Sequence, residues 1–308
     1  MQIGSQLHTN STHWDQVQDV VRVMDDGPWE SVWVPDHSVP PLAFLDEAGE
    51  CLEGWSLLTG IAAISRRLRM GVLVSGNTYR NPALLAKMAA TIDQIAGGRL
   101  ELGIGAAWHV REHEAFGFDF PSLKERCDRL EEACELIRKL FTAEGPVDYD
   151  GRYYKLVNAS FAPRTSQEPH IPIMVGGNDE KRTLRTLALY GDVMNLDEAT
   201  PAQVAHKIGV LEEHCREVGR DPSEITKTCF FPVGLQDDEE KAEHLRSLWD
   251  GGKTAEERAR LAFGSKEHII DVIREYEATG VERVIFKGMP NNPRLYERIQ
   301  EEILPAFV

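Results

Sequence analysis

The stretch RMGVLVSGNTYRNPALLAKMAATIDQIAGGRLELGIGAA, from Arg69 to Ala107, decides the fold. Val72 to Val74 are aliphatic without alternating with charge, as expected of a strand covered on both faces. Asn81 followed by Pro82 caps and opens a helix, because Pro at the first position gives up an N–H that has no partner there. Leu84, Leu85, Met88, Ala89, Ile92 and Ile95 then make one apolar stripe, and Gly97-Gly98 can leave the helical region without a Cβ penalty. Leu100 to Gly105 reads as the next strand. Strand, helix and strand follow one another, and both strands run into polar or glycine-rich loops, which is a βα unit of a parallel sheet.

The same rhythm extends in both directions. Upstream, Ile3 to Leu7 and Ser31 to Val34 are strands, separated by a helix from Trp14 to Met24, and a helix from Trp55 to Ile64 leads into the quoted block. Downstream, Pro121-Ser122-x-x-Glu125 is a capping-box pattern that opens a helix to Phe141. Val147 to Tyr154 reads as a hairpin around Asp150-Gly151. Strands at Ile171 to Val175, Asp192 to Asn195, Ile225 to Val233 and Val284 to Phe286 alternate with helices after Gly176-Gly177-Asn178, from Thr200-Pro201-x-Gln203 to Gly219, from Ser265 to Thr279, and from Pro293 to Phe307. Eight strands in this alternation predict an α/β fold, a closed (β/α)8 TIM barrel over residues 1–308 as one domain, with a hairpin-like excursion between strands four and five; an open doubly wound sheet is the alternative. Two connections, Pro40 to Gly54 and the charged segment Asp237 to Arg260, are candidate lids.

The formal charge is -16, from 34 basic and 50 acidic side chains, which argues against a nucleic-acid partner. No segment approaches the run of about 18 apolar residues that a membrane span needs. MQIGSQLHTN lacks the pattern of a secretion signal, so a cytoplasmic location is expected. The cysteines at 51, 127, 134, 215 and 229 include no CxxC, and reduced, mostly buried thiols are expected.

In such a barrel the functional surface is the ring of loops after the strands. That criterion collects His8 and Asn10, Asp36 and His37, Ser75 to Arg80, Ala106 to His109, Gly176 to Arg182, and Asn195. Adjacent residues on an extended segment point to opposite sides, so Asp36 and His37 do not form a direct dyad. His37 can face the cavity as a proton donor while Asp36 accepts backbone N–H groups, although a structural histidine is equally consistent. A glycine pair at a helix start attracts anions; Lys181 and Arg182 near that positive end suit a phosphate, with Asp179 and Glu180 offering plain charge balance instead. His109 and His113 would share a face if helical, but without HExxH or a third ligand no metal site is expected.

These segments together resemble the luciferase-like monooxygenase family, in its coenzyme F420-dependent oxidoreductase subgroup. The resemblance is carried by VWVPDH (Val32 to His37), GNTYRNPALLAKMAATIDQIAGGRLELGIGAAW (Gly76 to Trp108), LEEACELIRKLF (Leu130 to Phe141), DGRYY (Asp150 to Tyr154) and IPIMVGGNDEKRTLRTLALYGDVMN (Ile171 to Asn195). It implies a flavin or deazaflavin lying across the C-terminal ends of the strands, and a non-prolyl cis peptide within Val72 to Ser75. It further implies that Asp36 and His37 are the catalytic pair near the ring or substrate. Val74, Ser75, Gly76, Asn77 and Thr78, with Gly105, Ala106, Ala107 and Trp108, would hold the cofactor ring, and Gly176, Gly177, Lys181 and Arg182 its phosphate. F420-using sugar-phosphate dehydrogenases carry a Glu after the glycine loop of strand four; Trp108 in its place puts sugar-phosphate oxidation in doubt. The expected activity is hydride transfer between F420 and a small organic substrate, with a separate cofactor reductase and a homodimer as possible partners. The alternatives are an FMN-dependent monooxygenase using oxygen, or a noncatalytic deazaflavin- or flavin-binding protein.

Overall fold

In the computed structural model, which describes residues 1–41, 49–254, 257–258 and 261–308, the first strand β1 (Gln2–Gln6) is followed by α1 (Trp14–Asp26), β2 (Ser31–Val34), α2 (Gly54–Ile64) and β3 (Arg69–Val72). The two-residue β4 (Ser75–Gly76) continues β3, and α3 (Pro82–Ala96) and β5 (Leu100–Gly105) complete the block that the sequence singles out. Then come α4 (Val110–Phe116), α5 (Leu123–Thr142) and an antiparallel hairpin of β6 (Val147–Asp150) and β7 (Lys155–Ala159). The barrel resumes with β8 (Ile173–Gly176), α6 (Thr183–Tyr190), β9 (Val193–Asp197), α7 (Pro201–Val218) and β10 (Thr226–Leu235). It finishes with α8 (Glu239–Leu248), β11 (Ala262–Gly264), α9 (Lys266–Glu277), β12 (Arg283–Lys287) and α10 (Pro293–Glu302).

Parallel pairing runs β1–β2–β3–β5–β8–β9–β10–β12 and returns to β1, where Gln2 lies opposite Arg283 and Ile3 opposite Val284. The sheet is therefore closed, and the open-sheet alternative is excluded. The hairpin stands where the sequence puts it, between the fourth and fifth barrel strands. Residues 42–48 of the Pro40 to Gly54 connection, and 255–256 and 259–260 of the Asp237 to Arg260 segment, lie outside the described residues, so neither lid is described in full.

Local chemistry explains the helix ends. Asn81 accepts from the Ala83 amide with Pro82 in the first turn, and Gly97 closes α3 at φ 66°. Thr200 and Gln203 make both halves of a capping box on α7. On α5 only half of the expected box forms, because the Glu125 carboxylate turns to Arg129 instead. The predicted α3 stripe is also narrower than expected: Leu85, Ala89 and Ile92 are buried, whereas Leu84 and Ile95 are exposed. A second difference lies after Gly176-Gly177, where α6 begins only at Thr183 and leaves Lys181 and Arg182 ahead of the helix.

Trp33, Leu73, Met174, Val193, Phe230 and Ile285 fill the barrel interior, with Val74 packed against them. Beneath them the N-terminal end is closed by charge. Arg283 donates to both oxygens of Glu101 at 2.9 Å and lies 3.0 Å from Glu30, while Arg69 reaches Glu101 at 2.6 Å. Burial works to raise the Glu101 pKa, but Arg283 and Arg69 outweigh it and hold the carboxylate below its ordinary value. Removing one partner of such a cluster leaves buried charge uncompensated. Glu101→Gln should therefore destabilise the fold by about 3–5 kcal/mol, read as a lowered urea midpoint with an unchanged m-value.

Candidate functional site

At the C-terminal end of the barrel strands lies a cavity of about 350 Å³. Each strand end contributes to it: Gln6 ending β1 and His8 beyond it, Asp36 and His37 after β2, Val74 between β3 and β4 with Ser75 and Gly76 of β4, Gly105 ending β5 and Ala106 to Trp108 beyond it, Gly176 ending β8 and Gly177 beyond it, Asn195 and Asp197 on β9, Phe230 on β10, and Lys287 ending β12. Leu73, Val74 and Phe230 join the cavity to the barrel interior, beside the small residues Gly105, Ala106 and Gly176. The Leu73–Val74 peptide is the non-prolyl cis bond that the resemblance places within Val72 to Ser75. Val74 is accommodated because three neighbours are glycine: a Cβ on Gly105 would lie 2.9 Å from its Cγ2, one on Gly176 2.8 Å from Cγ1, and one on Gly103 3.0 Å from Cγ1.

Asp36 behaves as the sequence suggests. Its carboxylate accepts from the Gly76 amide at 3.1 Å and from Arg80 at 2.7 and 3.0 Å, and Arg80 also reaches Glu53 at 2.5 Å. It thus ties the β2 loop to β4, while its neighbour His37 faces another way, toward Glu112. His37 Nδ1 lies 3.0 Å from Glu112 Oε2. Glu112 is the hub of the cavity wall: the amides of Ser38 and Val39 donate to Oε1, and the Tyr79 hydroxyl donates to Oε2 at 2.5 Å. Burial pushes the Glu112 pKa up, but the His37 hydrogen bond and charge, the Ser38 amide and the Tyr79 hydroxyl outweigh it and bring the carboxylate to about 2. Burial and Glu112 together raise the Tyr79 pKa, so Tyr79 stays a donor.

The other expected site residues divide into two sets. Val74, Ser75, Gly76, Gly105, Ala106, Ala107, Trp108, Gly176 and Gly177 line the cavity with Asp36 and His37. Asn77, Thr78, Lys181 and Arg182 do not. Asn77 donates to the Tyr154 hydroxyl, Thr78 meets His113 Nε2 at 2.6 Å, and the Ser75 hydroxyl, although at the cavity, is taken by the Trp55 indole N–H at 2.8 Å. Arg182 is drawn to α5, where it pairs with Asp128 at 2.6 Å and Glu131 at 3.7 Å. The start of α6 carries its own anion, since Asp179 Oδ1 accepts from the Arg182 and Thr183 amides. The charge balance foreseen from Asp179 is thus present. Trp108 stands at the rim, 59% exposed, with its ring 5.6 Å from that of His37.

His109 and His113 separate rather than pair. His113 Nδ1 meets the His109 carbonyl at 2.8 Å and turns to Thr78, whereas the His109 ring lies 5.6 Å from that of His37. His37, His109 and Glu112 each bring one donor atom within 4.8 Å of the others. Both Glu112 oxygens are already engaged, so the trio is a hydrogen-bonded and charged cluster before any ion is considered.

Sequence reasoning missed two things here. It noticed Glu112 only as a neighbour of histidines, because its partners His37, Ser38, Val39 and Tyr79 come from 33 to 75 residues away. It also stopped the ring of loops at Asn195. Applied to the eighth strand, the same criterion finds Lys287, whose ammonium meets Asp197 at 2.9 Å and Glu198 at 2.7 Å inside the rim.

The family model for luciferase-like monooxygenases matches residues 1–262. The chain is 26% identical, over an alignment of 326 positions including gaps, to the F420-dependent glucose-6-phosphate dehydrogenase of Amycolatopsis mediterranei (strain U-32), covering 95% of this chain and 94% of that protein. Its fold is similar to that of an F420-dependent secondary alcohol dehydrogenase solved with an F420-acetone adduct, at TM-score 0.84 and 22% identity over 100% of this chain and 99% of that one. It is likewise similar to monooxygenase RslO1 from Streptomyces bottropensis, at TM-score 0.81 and 21% identity over 100% of both chains. A closed barrel with its cavity at the strand ends, and a family match over most of its length, lead to one conclusion: the chain belongs to the luciferase-like monooxygenase family of flavin- and F420-dependent oxidoreductases.

Proposed function

We infer that the chain moves a hydride between coenzyme F420 and a small, largely apolar organic substrate. One observation carries the reading: His37, Val74 and the Gly176-Gly177 loop open into a single cavity. The relative from Amycolatopsis, matched along nearly its whole length, supports F420 as the ring. The residues present fit such a group. Gly105, Ala106, Ala107, Gly176 and Gly177 offer a flat, small-residue surface, and the volume falls within the range of about 300–1,000 Å³ usual for small-ligand clefts. Val74 to Gly76 would support the ring, and the Asn178 amide with the Thr183 hydroxyl would be the groups offered to a phosphate, the Gly177 amide being taken by the Asn195 carbonyl.

When bound, F420 supplies the hydride chemistry; the chain supplies placement and a proton. An ionised carboxylate only accepts, so Glu112 keeps the proton of neutral His37 on Nδ1 and leaves Nε2 as the nitrogen available to the cavity. In its protonated form His37 donates from Nε2 as charge develops on the substrate, with Nδ1 held by Glu112. Asp36 positions rather than reacts: Arg80 and the Gly76 amide occupy its carboxylate, and through them it holds the loop that presents His37.

A second reading, an FMN-dependent monooxygenase using oxygen, has one specific observation in its favour. F420 carries a long anionic tail, yet the cations around the 176–178 loop are already engaged: Arg182 pairs with Asp128 and Glu131, Lys207 donates to the Asn178 carbonyl and pairs with Glu180, and Lys181 does not line the cavity. Parallel titrations of cofactor-free protein with reduced F420 and reduced FMN separate the two. Saturable F420 binding without oxygen consumption is expected; oxygen-dependent turnover of FMN with no F420 binding would exchange the readings.

Two variants test the proton-handling side. His37→Ala should lower turnover about 10²–10⁴-fold while cofactor affinity stays nearly constant, and an unchanged turnover with the true substrate would remove the assignment. The pKa of Glu112 is lowered by folding, so its stabilisation is present above its ordinary value near 4.5 and lost as pH falls toward about 2. The difference in Tm between the native protein and Glu112→Gln should accordingly be largest above pH ~5 and shrink across that window. A difference independent of pH would show that Glu112 acts only by shape.

A further inference from the structure

The cavity has a second charged pole, opposite in character to the His37 wall. Lys287 ends β12 with its side chain only 14% exposed, and its ammonium lies 4.8 Å from the centre of the Phe230 ring and 5.4 Å from that of Trp249. Two carboxylates adjacent in sequence, Asp197 and Glu198, both reach it, at 2.9 and 2.7 Å. Neighbours on an extended strand point to opposite faces, so this convergence needs a turn in the backbone. Glu198 supplies it by adopting φ 51°, a left-handed conformation uncommon outside glycine. Behind it, Lys253 meets the other Glu198 oxygen at 3.4 Å. Asn178 clamps both backbone groups of Asp197, so the pole is fixed to the loop after β8.

Two ammonium groups thus meet two carboxylates, and the pole has no net positive charge. An anion approaching Lys287 would come against Asp197, which lines the same cavity with its side chain 52% exposed. An uncharged oxygen meets no such penalty. Lys287 has three N–H donors and spends two on its carboxylates, and Asp197 accepts as well, so a hydroxyl or carbonyl group finds a partner there.

We propose that Asp197 and Glu198, by neutralising Lys287, make this end of the cavity select uncharged hydroxyl- or carbonyl-bearing substrates over anionic ones such as phosphate esters. The proposal rests on the preceding reading only in taking this cavity as the substrate site. Its test uses neither hydride transfer nor F420, so the two can fail separately.

Inorganic phosphate is the probe, titrated by calorimetry into the full-length native protein, Glu198→Gln, Asp197→Asn/Glu198→Gln, and that double variant carrying Lys287→Met as well. Lys287→Met is also placed on the native protein and on Glu198→Gln, and the quantity read for each protein is the part of phosphate binding that Lys287→Met abolishes, which sets aside any binding at the 176–178 loop. The double variant should gain Lys287-dependent binding at least about tenfold tighter than native, equivalent to about 1.4 kcal/mol, with Glu198→Gln in between. Equal Lys287-dependent binding by the native protein and the variants would overturn the proposal, and so would its absence from every variant. Circular dichroism checks each fold; should the double variant unfold, Glu198→Gln against the native protein decides by the same criterion.

Discussion

Glycine on two neighbouring strands is what allows Val74 to stand in the mouth of the barrel. Gly103 and Gly105 on β5 and Gly176 on β8 each leave the space that a Cβ would take from its side chain or from the backbone beneath it. The third barrel strand therefore pairs with β5 in two pieces, Met70 and Gly71 with Leu100 and Glu101, then Ser75 and Gly76 with Ile104 and Gly105. The residues between the pieces rise into the cavity, and everything above is placed relative to them. The Gly76 amide that follows fixes Asp36; Asp36 and Arg80 fix the loop; the loop presents His37. Close backbone approach at one point thus sets the geometry of a wall several residues away.

Charge is distributed along the barrel axis in three layers. At the N-terminal end, Glu101, Arg283, Arg69 and Glu30 form a buried cluster whose members balance one another. Hydrophobic side chains occupy the middle. At the C-terminal end two separate groups remain, Glu112 with its histidines and Lys287 with its carboxylates. The bottom cluster is buried among its own partners, whereas His37, Asp197 and Lys287 of the upper groups line the cavity. The ingredients are the same and the setting differs.

The fold was legible in the sequence because its signals are local: apolar runs, caps and glycine stops repeat along the chain, and a barrel of eight such units needs little else. The candidate site was legible in part. Strand-end position found Asp36, His37, Ser75, Gly76, Ala106 to Trp108 and the Gly176-Gly177 loop, since the chain direction alone puts them at one end, whereas Val74 and Gly105 came from the family resemblance. Asn77, Thr78, Lys181 and Arg182 share that position yet turn away, because where a loop side chain points depends on partners distant in sequence, such as Tyr154 for Asn77 and Asp128 for Arg182. Glu112 was hidden for the same reason. Its neighbours Ser38, Val39 and Tyr79 come together only after β2, β4 and α4 are assembled.

The two upper poles differ in what they ask of a bound molecule. Glu112 is saturated with donors and acts through His37, so the group it orients toward the cavity is an imidazole rather than a carboxylate. Lys287 spends two of its three N–H donors on Asp197 and Glu198, and its positive charge is balanced there. Neither pole presents a bare ion, even though the chain as a whole carries a formal charge of -16. On the proposed reading, a neutral group held between them would be recognised through hydrogen bonds to His37 Nε2 and to the third Lys287 N–H. Each charge is met by a partner within the protein, so hydrogen-bonding groups rather than unpaired ions face the cavity.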